Sequence, residues 1–272
     1  MRAAVRSAAF IMAALVAPAV TLSAQWPKQP TPGVPKGADG QPNMNAPAPR
    51  TADGTPDLSG VWRAGGGFGA RQGGAPPPTD GPPVAGFRDV AQNIKGGLPL
   101  TPYGAELLKM RIAGNSKDNP EAHCLPMGIV QLHTQGAPRK FFQMPRSLVI
   151  LYEASWERRE IFLDGRPLPS ADAHPWYYGY STGRWDGDTL VVETGQFRDG
   201  GWLDIIGSPL TDAAKVTERF RRPTYGRMEI DVTITDPKAY TKPFTVRVNQ
   251  QLMLDEELIE FICLENQRFG AQ

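Results

Sequence analysis

Few residues in this chain are equipped to do chemistry. It has three histidines (His123, His133 and His174) and two cysteines, Cys124 and Cys263. It carries no G-x-S-x-G elbow, phosphate-binding loop, dinucleotide fingerprint or H-E-x-x-H helix, so the usual sequence carriers of nucleophilic, nucleotide and zinc-hydrolase chemistry are missing. What remains is acid–base or binding chemistry on strands. Glu218 lies in an alternating run, with Val216, Glu218 and Phe220 on one face and Thr217, Arg219 and Arg221 on the other. The apolar face of such a strand turns inward and takes the carboxylate with it. Glu193 follows Val191 on a second strand-like run, and His174 precedes Pro175-Trp176 in a loop of the kind that builds a barrel mouth. A buried carboxylate needs a cation or hydrogen bonds, otherwise it takes up a proton. Arg184, on the face it shares with Tyr178, Tyr180 and Thr182, is the expected partner.

Glu218, Glu193 and His174 are therefore the catalytic candidates if the protein is an enzyme. Tyr152, Tyr178, Tyr180, Arg184 and Trp185 are the candidates for touching a small flat or sugar-like ligand. Against this stand a structural ion pair, strand aromatics that merely fill space, and a solvated loop histidine. His123 beside Cys124 makes a poor catalytic pair, because adjacent residues on an extended chain point apart. Asp186-Gly187-Asp188 lacks the remaining ligands of a calcium loop, and Cys263 has no second ligand at zinc spacing. No metal or cofactor is expected.

These residues must be positioned by strands. The stretch Trp176 to Phe197 reads as a hairpin, with Tyr178 to Trp185 and Thr189 to Thr194 flanking Asp186-Gly187, the strongest short-range hairpin signal. Further strands are expected at Asp57 to Arg63, Lys140 to Gln143, Ser147 to Ala154, Arg158 to Leu163, Lys215 to Arg221 and Met228 to Thr235, with a short strand or loop at Trp202 to Ile206. The last pair is expected at Phe244 to Leu254 and Glu257 to Leu264. Short connections between successive strands predict an all-β fold, an antiparallel meander closing into an up-and-down barrel over residues 57–272; an immunoglobulin-like sandwich is the alternative. Thr101-Pro102 opens the one convincing helix, over residues 101–114.

The start of the chain is different. Met1 to Ala24 has a basic n-region (Arg2, Arg6), an apolar run and Leu-Ser-Ala before Gln25, the pattern of a secretory signal peptide. It implies an exported protein in the periplasm or outside the cell. Residues 25–56 hold eight prolines and almost no apolar periodicity, which predicts a disordered tether. The glycine- and proline-rich stretch 64–100 predicts a flexible loop, either a lid over a cavity mouth or simple disorder. With 29 basic and 28 acidic residues the charge is nearly balanced, which points away from nucleic-acid partners, and the basic group Arg219, Arg221 and Arg222 is expected along a solvated strand edge. In an oxidising compartment Cys124 and Cys263 are expected to bond, closing a long loop worth roughly 3–5 kcal/mol; two buried thiols are the alternative.

Gly60-Val61-Trp62 on the first predicted strand resembles the G-x-W signature of lipocalins and their calycin relatives. The resemblance implies that Trp62 closes one barrel end beneath an arginine from a late strand, with Arg268 as the matching residue. The chain also resembles a large family of exported bacterial proteins through Pro56 to Trp62, Ile161 to Arg166, Gly183-Arg184-Trp185, Asp188 to Thr194, Val216 to Phe220, Asp236 to Pro243 and Glu265-Asn266. Members often carry histidine where this chain has Tyr180 and Leu210, so any role of those histidines is lost here. The leading expectation is an exported barrel holding a small, partly apolar molecule in its cavity. The alternatives are a cofactor-independent hydrolase, lyase or isomerase using the inward carboxylates, and an envelope protein whose arm meets a partner.

Overall fold

The structure, a computed structural model, describes residues 29–65 and 81–261. The chain divides into a unit of residues 1–30, of which only the exposed Gln29 and Pro30 are described, and a unit of residues 31–272. The second unit is built on strands β1 (Gly60–Ala64), β2 (Arg139–Met144), β3 (Ser147–Tyr152), β4 (Arg158–Phe162), β5 (Tyr180–Asp186), β6 (Thr189–Gly195), β9 (Lys215–Thr224), β10 (Arg227–Thr235) and β11 (Phe244–Met253), with a separate two-stranded ribbon β7 (Gly201–Trp202) and β8 (Pro209–Leu210). The nine main strands close into a barrel in the order β1-β11-β10-β9-β6-β5-β4-β3-β2. This is the expected all-β barrel with two departures from a meander. The ribbon is inserted between β6 and β9, and β4 pairs with β5 in parallel, over only Ile161↔Ser181 and Phe162↔Thr182.

The central hairpin forms as its sequence dictates. Asp186 pairs with Thr189, so the two-residue turn is Gly187-Asp188, and Gly187 at φ 56° supplies the positive backbone angle that a first turn position demands. The expected closing pair differs. Residues 257–261 form no strand, because the free edge of β11 is already taken by β1, with Val61 opposite Met253 and Ala64 opposite Gln250. Closure removes the edge to which another strand could add.

The barrel interior is filled. Trp62, Phe141, Phe220, Leu148 and Ile150 are fully buried together with Val192, Ile230 and Val232. One end is plugged by a short helix absent from the sequence reading, α2 (Ile129–Thr134), all six residues of which are buried. Gly128 begins it because a Cβ there would collide with the Trp202 carbonyl. The predicted helix is α1 (Pro102–Ala113), capped by Thr101, whose hydroxyl accepts from the Gly104 amide at 3.0 Å. It docks outside the barrel through Gly104 against Ala239 and through Arg111, which donates to the carbonyls of Gly201 and Gly207.

Two stretches expected to be disordered make defined contacts where the structure describes them. Residues 31–56 contain only isolated bridges, Lys36↔Pro42 and Arg50↔Pro56, yet they lie on the barrel. The amides of Tyr225 and Gly226, in the β9–β10 turn, donate to the carbonyls of Ala46 and Met44 at 2.7 and 2.9 Å. Arg50 pairs with Asp188 in the hairpin turn. Each proline lacks an amide donor but keeps its carbonyl, and proline lowers the entropy lost on ordering, so such a strip docks largely through carbonyl acceptors, joined here by the Arg50 side chain and the Thr31 amide, which donates to Asp255 Oδ1 at 2.7 Å. Residues 81–100 are also packed. Val90 is buried and its amide donates to the Asp204 carboxylate at 2.8 Å, while the Ala85 amide donates to the Arg247 carbonyl and the Arg247 amide to the Pro83 carbonyl, each at 2.8 Å. Residues 1–28, which include the expected signal peptide, and residues 66–80, Cys263 and Arg268 lie outside the described residues.

Candidate functional site

The site begins with Glu218, which faces the interior as its alternation predicts. It is fully buried between Val192 and Val232 of the neighbouring strands. Its partner is Arg159 of β4 rather than Arg184. Arg159 Nη1 donates to Glu218 Oε1 at 2.9 Å, and Nη2 donates to Oε2. Nε also donates to Ser181 Oγ at 3.2 Å, and Nη2 to Thr194 Oγ1 at 2.9 Å. His133, on the plug helix α2, completes the cluster with Nε2 at 3.0 Å from Glu218 Oε1. Because an ionised carboxylate can only accept, Nε2 carries the proton and Nδ1 keeps a lone pair. The imidazole is fixed from behind as well. Arg139 and Gln250 both donate to the His133 carbonyl, and its ring sits between Tyr152 and Phe220, with centroids 6.0 and 5.9 Å away.

Burial alone would raise the Glu218 carboxyl, but the charge and hydrogen bonds of Arg159, aided by His133, hold it down at about 2. Burial likewise opposes the charge on Arg159, and Glu218 overcomes it and lifts the guanidinium above its ordinary value. Burial pushes His133 down despite the carboxylate beside it, so it is neutral. The cluster is thus one ion pair with a neutral histidine donor, and its net charge is zero. Tyr152 is pushed up to about 12, mainly by burial, and stays protonated.

Above this cluster the short β4–β5 junction leaves a groove of about 390 Å³. Its walls are Phe162, Trp176, Tyr177, Tyr178 and Tyr180, and Arg159 and Ser181 of the cluster also line it. The aromatic wall is stacked. Arg166 lies 3.9 Å from the Phe162 ring centroid and donates to the Tyr180 hydroxyl at 3.1 Å; Phe162 stacks on Tyr180 at 5.0 Å, and Trp176 tilts against Tyr180 at 5.4 Å. Arg158 and Glu160, exposed and of opposite charge, stand on the outward face of β4 within the same groove.

The structure brings Glu218, Tyr152, Tyr178 and Tyr180 to this region and separates the other candidates. On β5 the inward face is Ser181, Gly183 and Trp185, so Tyr180, Thr182 and Arg184 point outward, the reverse of the expected face. Small residues occupy the inner face because Arg159 and the Ile161 and Leu190 side chains already fill that space. Glu193, opposite Thr182, is consequently on the outer wall, where it pairs with Arg184 at 3.3 Å in solvent. Trp185 packs against the core and does not line the groove. His174 is exposed in its loop, and His123 contacts the Lys117 carbonyl at 2.8 Å. Trp62 is fully buried and donates to the Leu58 carbonyl at 3.0 Å. Among the described residues the arginine over it is Arg222, 4.8 Å from the ring, which also donates to the carbonyls of Asp57 and Tyr225. The expected solvated edge at Arg222 is therefore wrong. It continues the inward series Val216, Glu218, Phe220, and the same alternation carried two residues further would have found it.

Sequence reasoning missed Arg159 and the role of His133. Arg159 had a signal, since it alternates with Ile161 on the buried face of β4. His133 had none, because a six-residue helix shows too little periodicity to be read. Among the described residues no group of three or more His, Cys, Asp or Glu side chains could hold a metal ion, and no helix is long and apolar enough to cross a membrane. Compared with known proteins, the chain matches no protein-family profile, and no characterised protein aligns with it significantly.

Proposed function

We propose that this protein binds a small, flat, partly apolar molecule in the groove at the β4–β5 junction. The observation that carries the reading is the aromatic wall itself. Trp176 and Tyr177 are 39% and 40% exposed, yet Trp176 leans on the Tyr180–Phe162 stack braced by Arg166, and Tyr177 lies under Arg198, rather than either being buried in the core. Contiguous exposed aromatics around a concavity cost solvation free energy and mark binding sites. The interior is packed with side chains, which favours the wall groove over a lumen as the ligand's place. The leader-like residues 1–24 support a periplasmic or extracellular setting. The closed barrel and the Trp62–Arg222 stack support kinship with calycins, which host binders of many chemistries.

A second reading is an acid–base enzyme that needs no cofactor. It rests on His133, whose Nε2 is fixed by Glu218 while the Nδ1 lone pair is left open, the arrangement that makes an imidazole a directed base. Its low proton affinity and the absence of a nucleophile beside it favour the binding reading. Titration calorimetry with 2-naphthol tests the proposal. Saturable 1:1 binding that Trp176→Ala weakens by about tenfold or more is expected, the cost of removing a central aromatic contact. Binding unaffected by Trp176→Ala and Tyr180→Ala would refute the groove as the site.

A further inference from the structure

Two charges in the groove are left unmatched. Arg158 and Glu160 both line it from the outward face of β4, and neither side chain makes a hydrogen bond or ion pair with a described residue. The sheet explains this. On one side they stand opposite Leu151 and Val149 of β3, which carry no charge. On the other, β5 pairs only with Ile161 and Phe162, so no β5 residue pairs with them. Other charges around this wall are matched. Arg146 and Arg166 hold Asp164, Arg184 holds Glu193, and Arg159 is neutralised by Glu218.

The aromatic wall is also a surface that attracts cations. The Arg166 guanidinium lies over Phe162, and that of Arg198 lies 5.0 Å from the Tyr177 ring centroid. Among the described residues no cation covers the exposed Trp176, and tryptophan is the best aromatic for this role. Arg158 and Glu160 sit two residues apart on one strand, about 6–7 Å along β4, so their side chains can close on opposite ends of one small ring. A ligand that fills the groove takes water from both. A neutral molecule would leave both charges uncompensated, and an ion of either sign would suit one and repel the other. A molecule carrying both signs satisfies the pair.

We infer that the groove takes a flat aromatic zwitterion, a cationic ring bearing a carboxylate, with the ring on Trp176, the carboxylate on Arg158 and the positive charge toward Glu160. This rests on the groove being the ligand site. Arg158 and Glu160 then set which flat molecules the aromatic wall accepts.

Calorimetry on the full chain with four compounds of one shape separates the cases: the zwitterion N-methylnicotinate, the cation N-methylnicotinamide, the anion nicotinate and neutral nicotinamide. We expect the zwitterion to bind about tenfold or more tightly than each of the others, the effect of one charge-assisted contact. Arg158→Gln should make the zwitterion and the cation bind alike, and Glu160→Gln should do the same for the zwitterion and the anion. Both variants should keep the melting temperature, since neither side chain has a described partner to lose. If the four compounds bind equally and all depend on Trp176, the groove stands and the inference is overturned. The cation or the anion binding as tightly as the zwitterion would overturn it too, as would a preference that neither variant changes. If none of the four binds while 2-naphthol does, the groove again stands without the inference. If 2-naphthol also fails to bind, both readings fall.

Discussion

The substitution Glu218→Gln isolates the centre of this structure, because it keeps the shape and removes the charge. Glu218 accepts from both Nη atoms of Arg159 and from His133 Nε2, all within a fully buried cluster. The glutamine amide would place N–H groups against one of those donors and leave the Arg159 charge uncompensated. Breaking a buried ion pair from one side costs about 3–5 kcal/mol. At about 2–4 °C per kcal/mol for a domain of this size, the melting temperature should fall by roughly 6–20 °C. Urea denaturation of Glu218→Gln, Arg159→Met and the double variant supplies the assay. The double variant should be less damaged than the sum of the singles by at least about 2 kcal/mol, the coupling expected of contacting charges. A Glu218→Gln loss below about 1 kcal/mol, or additive singles, would refute the claim that this pair is a buried, mutually dependent unit.

Further outcomes follow from the same geometry. The Glu218 carboxyl is lowered from 4.5 to about 2 by folding, so its contribution is present above pH 4.5 and lost as pH falls toward 2. That amounts to about 3 kcal/mol at 1.36 kcal/mol per unit. His133 is also lowered, so its contribution has the same sign and begins to fade below pH 6.5; stability measured by urea denaturation from pH 7.5 to 2.5 should fall in two stages, and a flat profile would contradict both. Deleting residues 31–56 should lower the melting temperature by several degrees, because it removes the Met44 and Ala46 acceptors and the Arg50–Asp188 pair; an unchanged melting curve would show that the strip does not dock. We also expect Cys124 and Cys263 to be bonded in protein exported to an oxidising compartment, read as a two-proton mass gain on reduction, and free thiols titrating in the native protein would exclude it.

The parts of the fold that were legible in the sequence are those governed by a two-residue period. β9 and β10 alternate so cleanly that Glu218 had only one inexpensive face, since the opposite register would bury Arg219 and Arg221. The central hairpin and the capped helix α1 were legible for the same local reasons. β5 was misread because its aromatic face is the outer one. Tyr178 and Tyr180 build a groove while Ser181 and Gly183 make room inside for Arg159, so apolar character and burial part company there. The parallel β4–β5 junction, the β1–β11 closure and the plug carrying His133 are tertiary facts. No local pattern marks which strand edge a distant strand will take, or that six residues after Gly128 fold back into a barrel end.

We propose that a small molecule binds in the aromatic groove at the β4–β5 junction. Two-dimensional amide and indole NMR spectra of the full chain, titrated with 2-naphthol, test it most directly. We predict saturable shifts at the Trp176 indole and at the amides of Arg159, Phe162, Tyr178, Gly179 and Tyr180, with the far wall at β10 and β11 unmoved. Shifts confined to other surfaces, or none at saturating probe, would contradict it.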